Sequence, residues 1–220
     1  MTPSVPRFFG TLEVLATVNG SQRGYAGGQS CSAHLISADP LPSLFEPRGV
    51  DQFLKVAMTQ LIIRKAESSD FDGIWVIFHD VVSRGDTYPF APETTKEEAR
   101  AIWMSPQVQP YVASLDEQIV GSYFIRANQP GLGSHVANAG YMVKSDFHGK
   151  GIGRAMCEHS LAEARGAGYL AMQFNIVVST NESAIALWKK MGFSIVGTLP
   201  RVFRHQKLGL VDAFVMHRFL

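Results

Sequence analysis

The stretch Tyr141-Met142-Val143-Lys144-Ser145-Asp146-Phe147-His148-Gly149-Lys150-Gly151-Ile152-Gly153-Arg154-Ala155 decides how this chain is read. A β-rich run from Tyr141 to Val143 stops at the polar Lys144-Ser145-Asp146, and three glycines in five positions then lead into a helical pattern. Glycine accepts φ > 0 and leaves space where a Cβ would stand, so such a loop can aim successive N–H groups at one point. The helix behind it adds unpaired N–H donors and the positive end of its dipole, which suits a phosphate or pyrophosphate. The spacing excludes two familiar loops. Lys150 is followed by Gly151 rather than by the Ser or Thr of a P-loop, and Gly-x-Gly-x-Gly lacks both the spacing and the downstream acid of a dinucleotide fingerprint. On the loop alone, a glycine turn of purely structural use remains the alternative.

Outward from the loop, the helix carries Gly153, Met156, Cys157, Ser160, Leu161 and Ala164 at helical spacing, with Gly166 and Gly168 to end it. Leu170 to Val178 is nearly all apolar apart from Gln173 and Asn175, the pattern of a strand buried on both faces. Ser179 and Glu182 read as a capping box for a helix that ends at Lys189, Lys190 and Gly192. Strands are expected at Phe193 to Thr198 and Val211 to Arg218. Upstream, Tyr111 to Leu115, the Asp116-Glu117 turn and Gln118 to Arg126 form a β-hairpin, and Val136 to Lys144 is the next strand. Before these, Gln60 to Arg64 reads as a strand. Ser69 reads as the N-cap of a helix with Phe71, Ile74, Trp75, Phe78, Val81 and Val82 on one face. Thr94 or Thr95, with Glu97 or Glu98, caps a second helix burying Ala99, Ile102 and Trp103. The intervening Asp86-Thr87-Tyr88-Pro89-Phe90 is a candidate pocket lining, and Tyr88 is its candidate substrate-binding residue.

The first 57 residues differ in kind, with five prolines, six glycines and one strand-like run, Leu12 to Val18, closed by Asn19-Gly20. Asp51 to Ala57 could form a short helical turn. Residues 1–57 are therefore expected to be an extension of unknown role, and residues 58–220 a separate domain. A regulatory or dimerising arm and a plain extension are both open, and so is a homodimer. A formal net charge of +1 gives no general pull toward nucleic acid or a membrane surface. Two cysteines, Cys31 and Cys157, are too few and too far apart for a secreted disulfide framework, so both are expected reduced. No apolar run approaches a bilayer span and the N-terminus lacks signal-peptide regions, so a cytoplasmic protein without nucleic-acid or membrane partners is expected.

The glycine loop resembles the coenzyme A pyrophosphate loop of the GNAT superfamily of N-acetyltransferases, Gln/Arg-x-x-Gly-x-Gly/Ala between a strand and a helix. Asn181-Glu182-Ser183-Ala184-Ile185-Ala186-Leu187-Trp188-Lys189-Lys190-Met191-Gly192-Phe193 is similar to that family's second signature, an Asn-x-x-Ala helix ending in Gly-Phe. The likeness departs at His148, where Gln or Arg is usual, and at Trp188, where Tyr is usual. It implies an α+β fold in the order β-α-α-β-β-β-α-β-α-β-β, a mixed and mainly antiparallel central sheet with flanking helices.

The resemblance further implies acetyl-CoA as co-substrate, with no metal. It assigns coenzyme contacts to Tyr141, Met142, Val143, His148, Gly149, Lys150, Gly151, Ile152, Gly153, Arg154 and Asn181, with Asn181 also the catalytic candidate. It also implies that the strands carrying Tyr141 and Asn175 splay, so that the pantetheine arm lies between them like an added strand. No carboxylate stands on those strands. Asn138 takes the place where some relatives carry Glu, so water relays the proton or the enzyme captures the neutral amine. Trp188 cannot supply a proton to the leaving thiolate, and Tyr141, Tyr88 and His205 are conceivable substitutes. Asn138, Asn175 and Asn181 together are similar to the placements in azetidine-2-carboxylate and proline-analogue N-acetyltransferases, and the tail resembles phosphinothricin-type acetyltransferases. Asn138 and Asn175 are thus expected to hold the carboxylate of a small amine substrate. Acetylation of a protein N-terminus or lysine, and a non-catalytic acyl-CoA binding module, are the competing functions.

Overall fold

The computed structural model describes residues 60–220. The expectations for Leu12 to Val18, for Asp51 to Ala57 and for a boundary at Met58 lie outside these residues. Within them the elements are β1 (Ile62–Lys65), α1 (Phe71–Ser83), α2 (Lys96–Trp103), β2 (Gln109–Leu115), β3 (Gln118–Ala127), β4 (Val136–Val143), α3 (Ile152–Gly166), β5 (Ala171–Val178), α4 (Glu182–Lys190), β6 (Ser194–His205) and β7 (Gly209–Phe219). This is the expected order. One seven-stranded sheet runs β1-β2-β3-β4-β5-β7-β6. Every neighbouring pair is antiparallel except β4 and β5, which α3 joins as a crossover.

Alternation along the strands gives the sheet two faces with separate cores. On the front, α1 and α2 press Phe71, Ile74, Ile77, Phe78, Ala99 and Trp103 onto Val112, Phe124 and Met142. Trp75 was expected in that stripe but is only partly buried, and Ile77 takes its place. The buried Trp103 indole donates to Ser122 Oγ at 2.9 Å, and Ser122 passes its own proton to Tyr111 O at 2.8 Å. On the back, α3 and α4 cover Tyr111, Tyr123, Ile125, Met172, Phe174 and Met216. Cys157 lies here as a free thiol, and burial pushes its pKa up to about 12, which keeps it unreactive.

The back face carries a row of three tyrosines. Tyr111 pairs with Tyr123 and Tyr123 with Tyr141 across neighbouring strands. Their rings stack at 4.6 and 5.6 Å. Each hydroxyl ends on α3: Tyr111 on Glu163 at 2.7 Å, Tyr123 on His159 Nδ1 at 2.6 Å and Tyr141 on Ser160 at 2.7 Å. Ser160 spends its proton on Cys157 O at 2.7 Å, so in the last pair Tyr141 donates.

Two local readings change, and one open choice is decided. Ser69 does not cap α1; it sits in a 3-10 turn, Ser68–Asp70, and Asp70 instead accepts from the Glu67 N–H and grips Arg64 with both oxygens at 2.7 Å. Thr95 with Glu98 is the capping pair of α2. At α4 the cap is Asn181, whose Oδ1 accepts from Ala184 N at 3.2 Å, rather than Ser179.

Candidate active site

The two parallel strands part almost as soon as they meet. β4 and β5 are paired only at Val136/Ala171 and Ala137/Met172, and beyond that point they diverge. At the parting, the Asn138 side chain donates from Nδ2 to Gln173 O at 2.9 Å, taking the place of the next ladder bond. Gln173 Nε2 in turn donates to Asn175 Oδ1 at 2.8 Å. Met172 and Phe174 belong to the back core, so Gln173 and Asn175 lie on the front face with Asn138. β5 was expected to be buried on both faces; its front instead opens on the gap, and past a bulge between Phe174 and Val177, which returns Val177 to the back core, Ile176 is 37% exposed.

A cleft of about 950 Å³ fills the gap and runs from Arg126 and Asn138 to the glycine loop. Asn128 N bonds Val136 O and Lys144 N bonds Val120 O, so even-numbered β4 residues turn their backbone to β3. Ala139, Tyr141 and Val143 therefore present their N–H and C=O to the open side. Tyr88 Oη donates to Tyr141 O at 3.0 Å, and His148 Nε2 donates to Val143 O at 2.9 Å. Gly140 makes the first contact feasible, since a Cβ there would meet the Phe124 ring at 2.7 Å and the Tyr88 hydroxyl at 3.0 Å. Burial pushes the Tyr88 phenol well up.

At the loop, Gly149 and Gly151 have φ of +74° and +82°, and a Cβ on either would meet nothing within 4 Å. Gly151 is the left-handed N-cap of α3, and the first bond of that helix is Ala155 N to Gly151 O. The N–H groups before Ala155 thus face an open cradle, which suits a pyrophosphate. Gly153 serves a different purpose, being helical and lying against Leu187 of α4, which a Cβ would meet at 3.4 Å.

Of the expected coenzyme residues, Tyr141, Met142, Val143, His148, Gly149, Gly151, Ile152, Gly153 and Asn181 line the cleft. The Lys150 and Arg154 side chains do not: Lys150 lies 4.6 Å over the Phe147 ring, and Arg154 pairs with Glu158 at 2.8 Å. Successive helical residues diverge by about 100°, so with Ile152 turned inward Arg154 faces away. Asn181 combines capping with a place on the cleft wall. Trp188 is 9% exposed and packs on Tyr141 and Phe174, both at 4.9 Å. Two conceivable proton donors are otherwise engaged. Tyr141 Oη is turned to α3, and His205 sits at the β6–β7 turn, where its Nδ1 accepts from Lys207 N and Leu208 N at 3.1 and 3.3 Å.

The Asp86 to Phe90 loop lines the cleft as the sequence suggested, and beside it stand Arg84 and Arg126, which the sequence did not single out. Asp86 Oδ1 and Thr87 Oγ1 are buried on its wall without a partner in the protein. Arg84 ties this loop to Asp80, Asp86 and Ser145. Gln206 N donates to Gly85 O at 3.0 Å, so the tip of the β6–β7 hairpin docks on the same loop. Arg126 stands directly across from Asn138. Only the register shows that Arg126 shares a wall with Asn138. The signal within the sequence was the i, i+2 pair Phe124 and Arg126.

The Acetyltransferase (GNAT) family model matches residues 71–193. A GCN5-related N-acetyltransferase from Kribbella flavida superposes with a TM-score of 0.70 at 43% identity, covering 73% of this chain and 98% of that one. The L-methionine sulfoximine/L-methionine sulfone acetyltransferase of Pseudomonas aeruginosa is 30% identical over 67% of this chain and 87% of its own. The L-amino acid N-acetyltransferase AaaT of Escherichia coli is 27% identical over 73% and 99%.

Proposed function

Because the chain belongs to the acetyltransferase (GNAT) family, we propose that it transfers the acetyl group of acetyl-CoA to the amine of a small amino acid or amino-acid analogue. Family membership makes it an acyltransferase; the coenzyme and the acceptor class are the proposal. The observation that carries it is the parting of β4 from β5 over an open glycine cradle, with front-face amides at the point of parting. Acetyl-CoA supplies a thioester whose carbonyl an amine can attack.

The residues divide the work. The Gly149 to Arg154 backbone receives the pyrophosphate, and the outward backbone of Ala139, Tyr141 and Val143 receives the pantetheine arm and polarises the thioester oxygen. Asn181, its Oδ1 committed to the cap, keeps an amide nitrogen for the arm. Asn175 keeps both N–H hydrogens and Asn138 keeps one for the acceptor's carboxylate. Tyr88 closes the front of the acceptor site. Its raised pKa makes it a hydrogen-bond donor rather than an acid, so the proton leaving the attacking nitrogen reaches the thiolate through water. Neither open strand carries a carboxylate or an imidazole, so kcat/KM should climb with pH toward the acceptor amine's own pKa. A plateau far below it would assign a base, and Asp86 is the carboxylate on the cleft wall.

The relatives named for amino-acid acetylation support a small acceptor. So does the hairpin tip bridged to Gly85, which narrows the front for a polypeptide. A cytoplasmic site of action fits this pair of substrates. Turnover of acetyl-CoA against amino acids, simple amines and N-terminal and lysine peptides, read by free thiol, tests the reading. Amino acids should lead. A lead by peptides would assign a protein acetyltransferase, and coenzyme binding without turnover would assign a binding module.

A further inference from the structure

We infer that Arg126 is the anchor for the acceptor's carboxylate, which makes the free carboxylate, and not merely a small amine, the feature the site selects. This rests on the acetyltransferase reading of the cleft. A carboxylate entering a partly desolvated cleft needs a cation or several fixed donors. The neutral amides meet this need only in part, because Asn138 has committed one N–H to Gln173 O. Among the cleft-lining arginines, Arg84 is held by Asp80 at 3.4 Å, Asp86 at 3.7 Å and Ser145 at 2.8 Å. Arg126 has no such tie: among the described residues no carboxylate pairs with it.

Its position is fixed from beneath. Arg126 and Asn138 are directly opposed on antiparallel β3 and β4, so both side chains rise from the front face, with Cβ atoms about 5 Å apart. The guanidinium lies 5.7 Å from the Phe124 ring centre, and Phe124 is itself wedged edge-on against the buried Trp103 at 4.9 Å. One carboxylate can therefore take the guanidinium fork and the second Asn138 N–H together. This places the acceptor's acid at the end of the cleft opposite the glycine loop, clear of the coenzyme's phosphates. Amides, esters and peptides, which lack that acid, would lose the anchor.

The test compares wild type, Arg126→Gln and Arg126→Lys on L-methionine sulfone and its α-carboxamide, and on each other amino acid turned over beside its carboxamide, with acetyl-CoA saturating. Arg126 is exposed, so these variants should fold. Wild type should prefer the free acids. Arg126→Gln should lower kcat/KM on them about 10- to 100-fold, mostly through KM, and leave the carboxamides within about twofold. Arg126→Lys should recover part of the loss as a monodentate cation. Equal losses on acid and carboxamide, or no loss on either, would overturn the anchor while leaving the acceptor class intact. Wild type favouring carboxamides or plain amines, or turning over no amine at all, would overturn the acceptor class and the anchor with it.

Discussion

The two faces of the sheet at β3 and β4 solve opposite problems with side chains three residues apart along each strand. On the back, Tyr123 and Tyr141 have every hydroxyl proton placed, through His159 and through Ser160 to Cys157 O. On the front, Asn138, Asn175 and Arg126 keep donors that the protein does not use. A buried polar group left without a partner costs about 1 to 3 kcal/mol, so the satisfied back row stabilises the fold, whereas the front donors border the open cleft. The difference teaches that polar side chains of one strand are sorted by parity: Tyr141, at an odd position of β4, ties the sheet to α3, while Asn138, at an even position, turns to the front face.

The largest test lies at the mouth of the cleft. Gly151→Asp forces a side chain into a left-handed position and sets a carboxylate beside the phosphate cradle. Acetyl-CoA binding by calorimetry should weaken on the order of 100-fold, about 2.7 kcal/mol; unchanged affinity would end the cradle assignment. Next, Asn175→Ala should lower kcat/KM on a free amino acid roughly 10- to 100-fold, with the coenzyme Kd and the melting temperature nearly unchanged. A large drop in melting temperature instead would move Asn175 to the structural side of the comparison. On the back face, Tyr123→Phe removes one hydroxyl from His159 and should cost about 0.5 to 1.5 kcal/mol in urea titrations while kcat/KM stays within about twofold. A kinetic defect there would erase the division between faces.

The smallest effect near neutrality emerges only in alkali. Burial raises the pKa of Tyr111, Tyr123 and Tyr141 in the folded protein, whereas in the unfolded chain they ionise near the usual value of about 10. Below that pH both states hold their protons and stability is flat. Above it the unfolded state gives protons up first, so stability should fall as pH rises through about 10 and beyond. Tyr123→Phe should flatten that decline, and an equal slope in the variant would mean that the phenols are not responsible.

Much of this was legible in the chain itself. The glycine loop and the Asn181 to Phe193 signature led to the family that residues 71–193 match, and periodicity placed the described α-helices and strands in order, though not the short 3-10 turns. What escaped had local physical causes. β5 read as doubly buried because apolar content says nothing about a gap on one side. Ser69 and Ser179 read as caps because several candidates stood within two residues; backbone geometry starts α1 after Asp70 with no side-chain cap bond and makes Asn181 the cap of α4. Lys150 and Arg154 enter the coenzyme set through the resemblance, which carries no information on side-chain direction, and here the two side chains lie over Phe147 and against Glu158. Arg126 becomes a neighbour of the site only through cross-strand register.

The Asn138 to Gln173 bond behaves like the end-stop of a zip fastener. Strands that have begun to part would tend to part further, and would drag with them the pairing at Val136 and Ala137. A side chain reaching across at that level braces the base of the fork and so sets its depth. A ligand then meets a slot of set length rather than one it must pry apart, and less of its binding free energy is consumed in ordering the walls.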